Sequence, residues 1–82
     1  DRSLEPELEH DIKTCLLATE GVTGLHDLKT RKMGDLALVD VHLEVNGELS
    51  VKEGHDIAVN ARNRVMSKFN VLNVMTHIDP AH

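Results

Sequence analysis

The chain has 82 residues, a net charge of −5 and one aromatic side chain, Phe69, with no Trp or Tyr. That length makes one domain whose aliphatic core gives only marginal stability, a situation in which a metal ion or a second subunit commonly adds to it. The acidic balance argues against nucleic acid as a partner, since phosphate contacts need clustered cations and the one basic run is Lys29-Thr-Arg-Lys32.

Cys15 is the only cysteine, so no disulfide framework exists and a reducing compartment is expected. No apolar stretch approaches the ~20 residues that a membrane helix needs. The chain opens at Asp1 with no initiator Met and no signal sequence, so the expectation is a piece of something longer, with Asp1 to Glu5 as the remnant of a linker.

Ser3-Leu-Glu-Pro-Glu predicts a helix start: Pro6 suits the first turn, and Glu5, Glu7, Glu9 and Asp11 place negative charge at the positive end of the helix dipole. Leu8, Ile12 and Leu16, with Cys15 beside them, recur at helical spacing, and Gly21 is expected to end the helix. Gly21-Val-Thr-Gly24 then turns into a first strand, Leu25 to Lys32, and Met33-Gly34-Asp35 is short enough for a hairpin loop.

Leu36 to Val45 is the strongest strand signal. Ala37, Val39, Val41, Leu43 and Val45 alternate with Leu36, Leu38, Asp40, His42 and Glu44, so one face seeks a core and His42 points the other way. Asn46-Gly47 closes the strand, and Ser50-Val-Lys-Glu53 has capping-box spacing. A long helix follows with Ile57, Ala61, Val65 and Phe69 as its expected core stripe, and His55, Val59, Arg62 and Met66 on another side. Asn70 ends it, and Val71 to Ile78 is a last strand stopped by Pro80.

Helix, strand, strand, helix, strand predicts an α+β fold of α-β-β-α-β order. A right-handed crossover lays the last strand parallel to the central one, and the first strand pairs antiparallel on its other side. The result is a three-stranded mixed sheet with two helices on one face, an incomplete ferredoxin-like arrangement with the second face uncovered.

With residues 33 to 35 as the loop, Lys32 sits opposite Leu36 and His26 opposite His42, where Cβ atoms ~5 Å apart allow two imidazoles to reach one ion. The parallel last strand brings His77 and Asp79 to the same sheet end. Such nitrogen and carboxylate donors suit Zn²⁺ and, less selectively, Fe²⁺ or Mn²⁺. This register turns Asp27, Lys29 and Arg31 toward the helices; a one-residue slip would relieve that and carry His26 to the wrong face. For His55, one turn into the long helix, periodicity fits a solvent-facing role as well as an approach to the same edge.

His10 and His82 read as solvated, and Met33 and Met75 as core filling. Asp40 and Glu44 make the His42 face acidic, which attracts cations, or are simply solvated. No nucleophile has a base, and no Gly-rich phosphate loop is present, so an enzyme is not expected.

Asp1-Arg2 with Pro6, Gly21-Val-Thr-Gly-Leu-His-Asp-Leu-Lys-Thr-Arg31, Val41-His-Leu-Glu44, Glu53-Gly-His55 and Thr76-His-Ile-Asp-Pro80 together resemble the cytoplasmic C-terminal domain of cation diffusion facilitator transporters, across nearly the whole chain. The resemblance implies a metallochaperone-like fold, a homodimer, and a transmembrane transport domain preceding Asp1 that exports divalent metal from the cytosol, commonly against protons. It implies one cytoplasmic regulatory domain over residues 1–82. The family's cytosolic ligands fall on His26, His42, His55, His77 and Asp79, and metal near the dimer interface biases the transporter's conformation. A free-standing metallochaperone or sensor would be expected to carry a Cys-x-x-Cys pair, which this chain lacks. A dimerisation module with incidental histidines is the remaining alternative.

Overall fold

The computed structural model describes residues 5–81. Residues 1–4, with most of the expected linker and helix start, and His82, expected to be solvated, lie outside them. Pro6–Leu17 is α1, Gly24–Met33 β1, Leu36–Val45 β2, Val51–Lys68 α2 and Val71–Pro80 β3. The sheet runs β1-β2-β3, with β1 antiparallel and β3 parallel to the central strand. This is the expected α-β-β-α-β fold with a three-stranded mixed sheet.

β2 decides where the core lies. Ala37, Val39, Val41, Leu43 and Val45 are at most 4% exposed, whereas the residues between them are half-buried. Ile12, Cys15 and Leu16 from α1 and Ala61 and Val65 from α2 complete the cluster with Val71 and Val74. Both helices therefore cover one face of the sheet, and the face carrying His42 has no layer upon it among the described residues.

α1 stops at Leu17, four residues before the expected end. The Thr19 hydroxyl donates to the Cys15 carbonyl at 3.1 Å, and Arg64 Nη1 reaches both that carbonyl and Thr19 Oγ1 at 3.2 and 2.9 Å. These bonds satisfy a carbonyl that a further turn would have used. Gly21 serves instead in the turn that follows: its φ is +93°, and a Cβ there would lie 2.5 Å from Ile57 Cδ1.

α2 begins with the expected capping box. Ser50 Oγ accepts from the Glu53 amide at 3.1 Å, and Glu53 Oε1 accepts from the Ser50 amide at 2.9 Å. Its buried stripe is Gly54, Ala58, Ala61 and Val65, with Ile57 and Phe69 only half-buried at its margins. Four-residue steps overshoot a 3.6-residue turn by about 40° each, so a stripe of uniform fours drifts off the core within two steps.

β1 carries the decisive irregularity. Met33 pairs with Leu36, leaving the two-residue turn Gly34-Asp35 in place of the expected three-residue loop, and Lys32 lies opposite Ala37 rather than Leu36. Gly34, at φ +62°, supplies the positive backbone angle that tight hairpins need. The ladder keeps this offset to Lys29 opposite Asp40, then shifts so that His26 lies opposite His42. Asp27 and Leu28 together face Val41, a β-bulge with Asp27 at φ +51°.

The bulge removes the conflict posed by a regular register. Beyond it Leu28 and Thr30 turn toward the helices, and Lys29 and Arg31 take the open face. Leu28 packs against the core, and Thr30 Oγ1 donates to Glu9 of α1 at 2.6 Å.

Candidate metal centre

Three adjacent strands place three histidines in one row. His26 of β1 is opposite His42 of β2, and His42 is opposite His77 of β3, all on the uncovered face. The rings of His26 and His42 stack with centroids 5.0 Å apart and planes 20° from parallel; those of His42 and His77 stack at 4.5 Å and 17°. Stacked imidazoles in direct register are what cross-strand pairing delivers when the same residue type occupies each strand.

Carboxylates alternate with the rings. Asp79 Oδ2 lies 2.9 Å from His42 Nδ1 and 3.1 Å from His26 Nε2, so one oxygen meets two imidazoles. Glu44 Oε2 is 2.9 Å from His26 Nδ1, and Asp40 Oδ1 is 3.0 Å from His77 Nε2. Such contacts at a half-exposed surface add little to fold stability. Their effect is orientation, since each fixes a ring against rotation.

His26, His42 and Asp79 form the one group among the described residues whose donor atoms could hold a metal, all within 4.8 Å of one another. Two imidazole nitrogens and a carboxylate oxygen suit Zn²⁺, whose ligands at about 2.0–2.2 Å require only slight spreading of the 2.9–3.1 Å contacts. His26, Glu44, Asp79 and Pro80 line a shallow cleft at this corner, so solvent reaches the donors.

The hydrogen bond to Glu44 raises the pKa of His26 above its ordinary 6.5, opposed by desolvation and helped by the charges of Asp27, Asp79 and Glu44. Its proton must leave Nε2 before that nitrogen can ligate.

The structure thus gathers four of the five residues named from the sequence. His77 extends the row and turns Nε2 to Asp40 rather than to Asp79. His55 lies elsewhere, exposed in the first turns of α2. Its neighbour Gly54 packs near Ile78, so His55 sits by the same sheet end but on the helix layer. Glu44 has a more definite place than acidity alone suggested. It is the diagonal neighbour of His26, two residues beyond its direct partner, and Gly24 opposite leaves room for its carboxylate; that spacing was available in the sequence.

Residues 4–81 match the family model for the cytoplasmic domain of cation efflux proteins. The chain is 35% identical over 81 residues to "Cation-efflux pump FieF" of Klebsiella pneumoniae, covering 99% of this chain and 27% of that protein. It is 32% identical over 81 residues to "Manganese efflux system protein MneP" of Bacillus subtilis, covering 98% and 27%. It is 39% identical over 79 residues to "Metal tolerance protein 2" of rice, Oryza sativa subsp. japonica, covering 95% and 20%. The chain therefore spans about a quarter of the length of these relatives. Among solved structures, the nickel form of a MamM CTD variant superposes with TM-score 0.91 at 19% identity, covering 95% of this chain and 100% of that one. A cadmium form gives 0.90 at 18%, covering 94% and 98%. These likenesses establish the fold.

Proposed function

This chain belongs to the cation efflux protein family as its cytoplasmic domain, and on that premise we propose that it is a dimerising, metal-binding regulatory domain of a divalent cation exporter. The ion is Zn²⁺, with Fe²⁺ and Mn²⁺ as the alternatives that nitrogen and carboxylate donors also accept. His26, His42 and Asp79 hold it, with His77 at the border of the site. The single observation carrying this is the convergence of His26 Nε2 and His42 Nδ1 on one oxygen of Asp79.

The remaining three quarters of such a relative's length would contain the transport domain, joined to this chain through residues 1–5. A homodimer fits the apolar side chains on the open face, where Met33 at the hairpin and Met75 opposite Asp40 are 49% and 53% exposed. Binding would exchange mutual repulsion between carboxylates for shared coordination, and so change how two copies sit together. His55, on the helix layer near the same sheet end, belongs to the ligand set that the family resemblance implies but is not among the donors that meet at Asp79 within one copy of the chain.

Calorimetric titration of Zn²⁺ into the wild type and into His42→Ala tests this. Binding in the first and a loss of at least tenfold in the second is expected; equal binding would remove His42 from the site.

One observation favours a second reading, a dimerisation module independent of metal: each imidazole in the row already has a carboxylate partner, so the cluster is satisfied without an ion. Sedimentation with and without chelator separates the two. An unchanged dimer in both states supports the module.

A further inference from the structure

We infer that Glu44 is a positioning residue for the proposed centre, holding the Nδ1–H of His26 so that Nε2 is the nitrogen presented to the ion. This rests on the metal-binding reading above and assigns a task within it to a residue outside the donor set.

An imidazole that ligates through one nitrogen carries its proton on the other, and the acceptor of that proton decides which nitrogen faces the metal. His26 has two carboxylate neighbours at the two ends of its ring: Glu44 Oε2 at 2.9 Å from Nδ1 and Asp79 Oδ2 at 3.1 Å from Nε2. Asp79 also meets His42, so the side of the ring toward Asp79 is where donors converge. Glu44 touches only the far nitrogen. Of the two carboxylates at His26, Glu44 is the one that can remain a hydrogen-bond acceptor while the other end of the ring ligates.

Glu44 is itself held in place from both ends. Its carbonyl accepts from the Thr23 amide at 2.8 Å and from the Thr23 hydroxyl at 3.0 Å. Its side chain lies across Gly24, its direct partner on β1. A Cβ on Gly24 would come within 3.0 Å of Glu44 Oε1. The missing side chain at residue 24 is therefore the space that lets the carboxylate lean toward His26. Glycine is otherwise a poor strand residue, and close approach by a neighbouring group is one of the few reasons to find it there.

The test measures Zn²⁺ affinity by competition with a chromophoric chelator for the wild type, Glu44→Ala, Glu44→Gln, Gly24→Ala and His42→Ala. It also reads the His26 ring nitrogens in the zinc-loaded protein by ¹⁵N NMR. Loss of an outer-shell partner commonly weakens metal sites by about 10–100-fold, and Glu44→Ala is expected in that range. Glu44→Gln keeps an acceptor oxygen and should stay within about threefold of wild type, while Gly24→Ala, which displaces the carboxylate, should fall between them. The wild-type spectrum should show a protonated Nδ1 and a metal-bound Nε2, with Glu44→Ala showing a mixture.

Wild-type affinity in Glu44→Ala overturns the inference, as does equal loss in Glu44→Ala and Glu44→Gln, which would mark a ligand or a bulk charge. A metal-bound Nδ1 in the wild type overturns it as well. His42→Ala keeps the two ideas apart: if it binds as tightly as wild type the site itself is wrong, whereas a loss there with none at Glu44 removes only the positioning role. Should Glu44→Ala fail to fold, Glu44→Gln, Gly24→Ala and the wild-type spectrum still decide.

Discussion

The two faces of β2 follow one alternation and have opposite requirements. Toward the helices, Val39, Val41 and Leu43 are at most 1% exposed and interact by shape alone. Toward solvent, Asp40, His42 and Glu44 are half-buried and each is tied to a titratable partner on a neighbouring strand. The first face would tolerate another aliphatic residue of similar volume. The second would not, because an imidazole cannot be replaced by an equal volume and still donate a lone pair. The difference teaches that one strand can supply stability and chemistry at once only because the pleat keeps them from sharing atoms.

If the faces are separate, damage to one should leave the other intact. The largest effect belongs to the core face: Leu43→Ala should cost about 2–5 kcal/mol of stability in urea unfolding, a large part of what so small a domain has. Zn²⁺ binding by the molecules still folded should stay within about threefold. Loss of binding in a fully folded Leu43→Ala would show that the faces communicate. The converse variant, His42→Ala, should unfold within about 0.5 kcal/mol of wild type without metal, while its zinc affinity drops by more than tenfold.

Much of this was open to reading from residue order. The alternation from Leu36 to Val45 gives β2 and its orientation, and Ser50 with Glu53 gives the start of α2, because both signals depend on near neighbours. The buried stripe of α2 departs from uniform four-residue spacing at Ile57 and Phe69, because the helix turns every 3.6 residues. β1 was harder. A bulge depends on Lys29 and Arg31 avoiding the core while His26 keeps its partner, and no local pattern states that balance. The expected conflict in register was the visible trace of it. The meeting of His26, His42 and Asp79 is legible through pairing geometry, and so is the register that sets Glu44 diagonal to His26, whereas the hydrogen bond that Glu44 accepts from Nδ1 depends on side-chain positions that residue order does not give.

The next effect in size is on pH. His26 titrates above its ordinary 6.5 when folded, chiefly through Glu44. In the metal-free protein a raised pKa means that the folded state holds the proton more tightly. That contribution to stability is full below about pH 6.5 and is lost as pH rises through the folded value. Metal binding has the opposite sign, because the ion displaces the proton. Zinc affinity should rise roughly tenfold per pH unit through the same window and level off above it. Calorimetry across pH 6 to 8, in buffers of different ionisation enthalpy, counts the released proton. No proton release would exclude His26 as a ligand. In Glu44→Gln the levelling should move to lower pH.

The smallest expected effect tests how the two faces are kept apart on β1. Asp27 stands at φ +51° within the bulge between His26 and Lys29. Asp is among the few non-glycine residues that accept this conformation, and a β-branched side chain does not. Asp27→Gly removes the steric cost and adds unfolded-chain entropy. These nearly cancel, so stability should change by no more than about 0.5 kcal/mol and zinc affinity should hold. Asp27→Val should cost about 1–2 kcal/mol and weaken zinc binding several-fold, because relaxing the bulge loosens the facing of His26 and His42. Urea midpoints and zinc titrations on both variants measure this. If Asp27→Val matched wild type in both, the bulge would not be what holds His26 on the open face, and the separation of chemistry from core along β1 would need another cause.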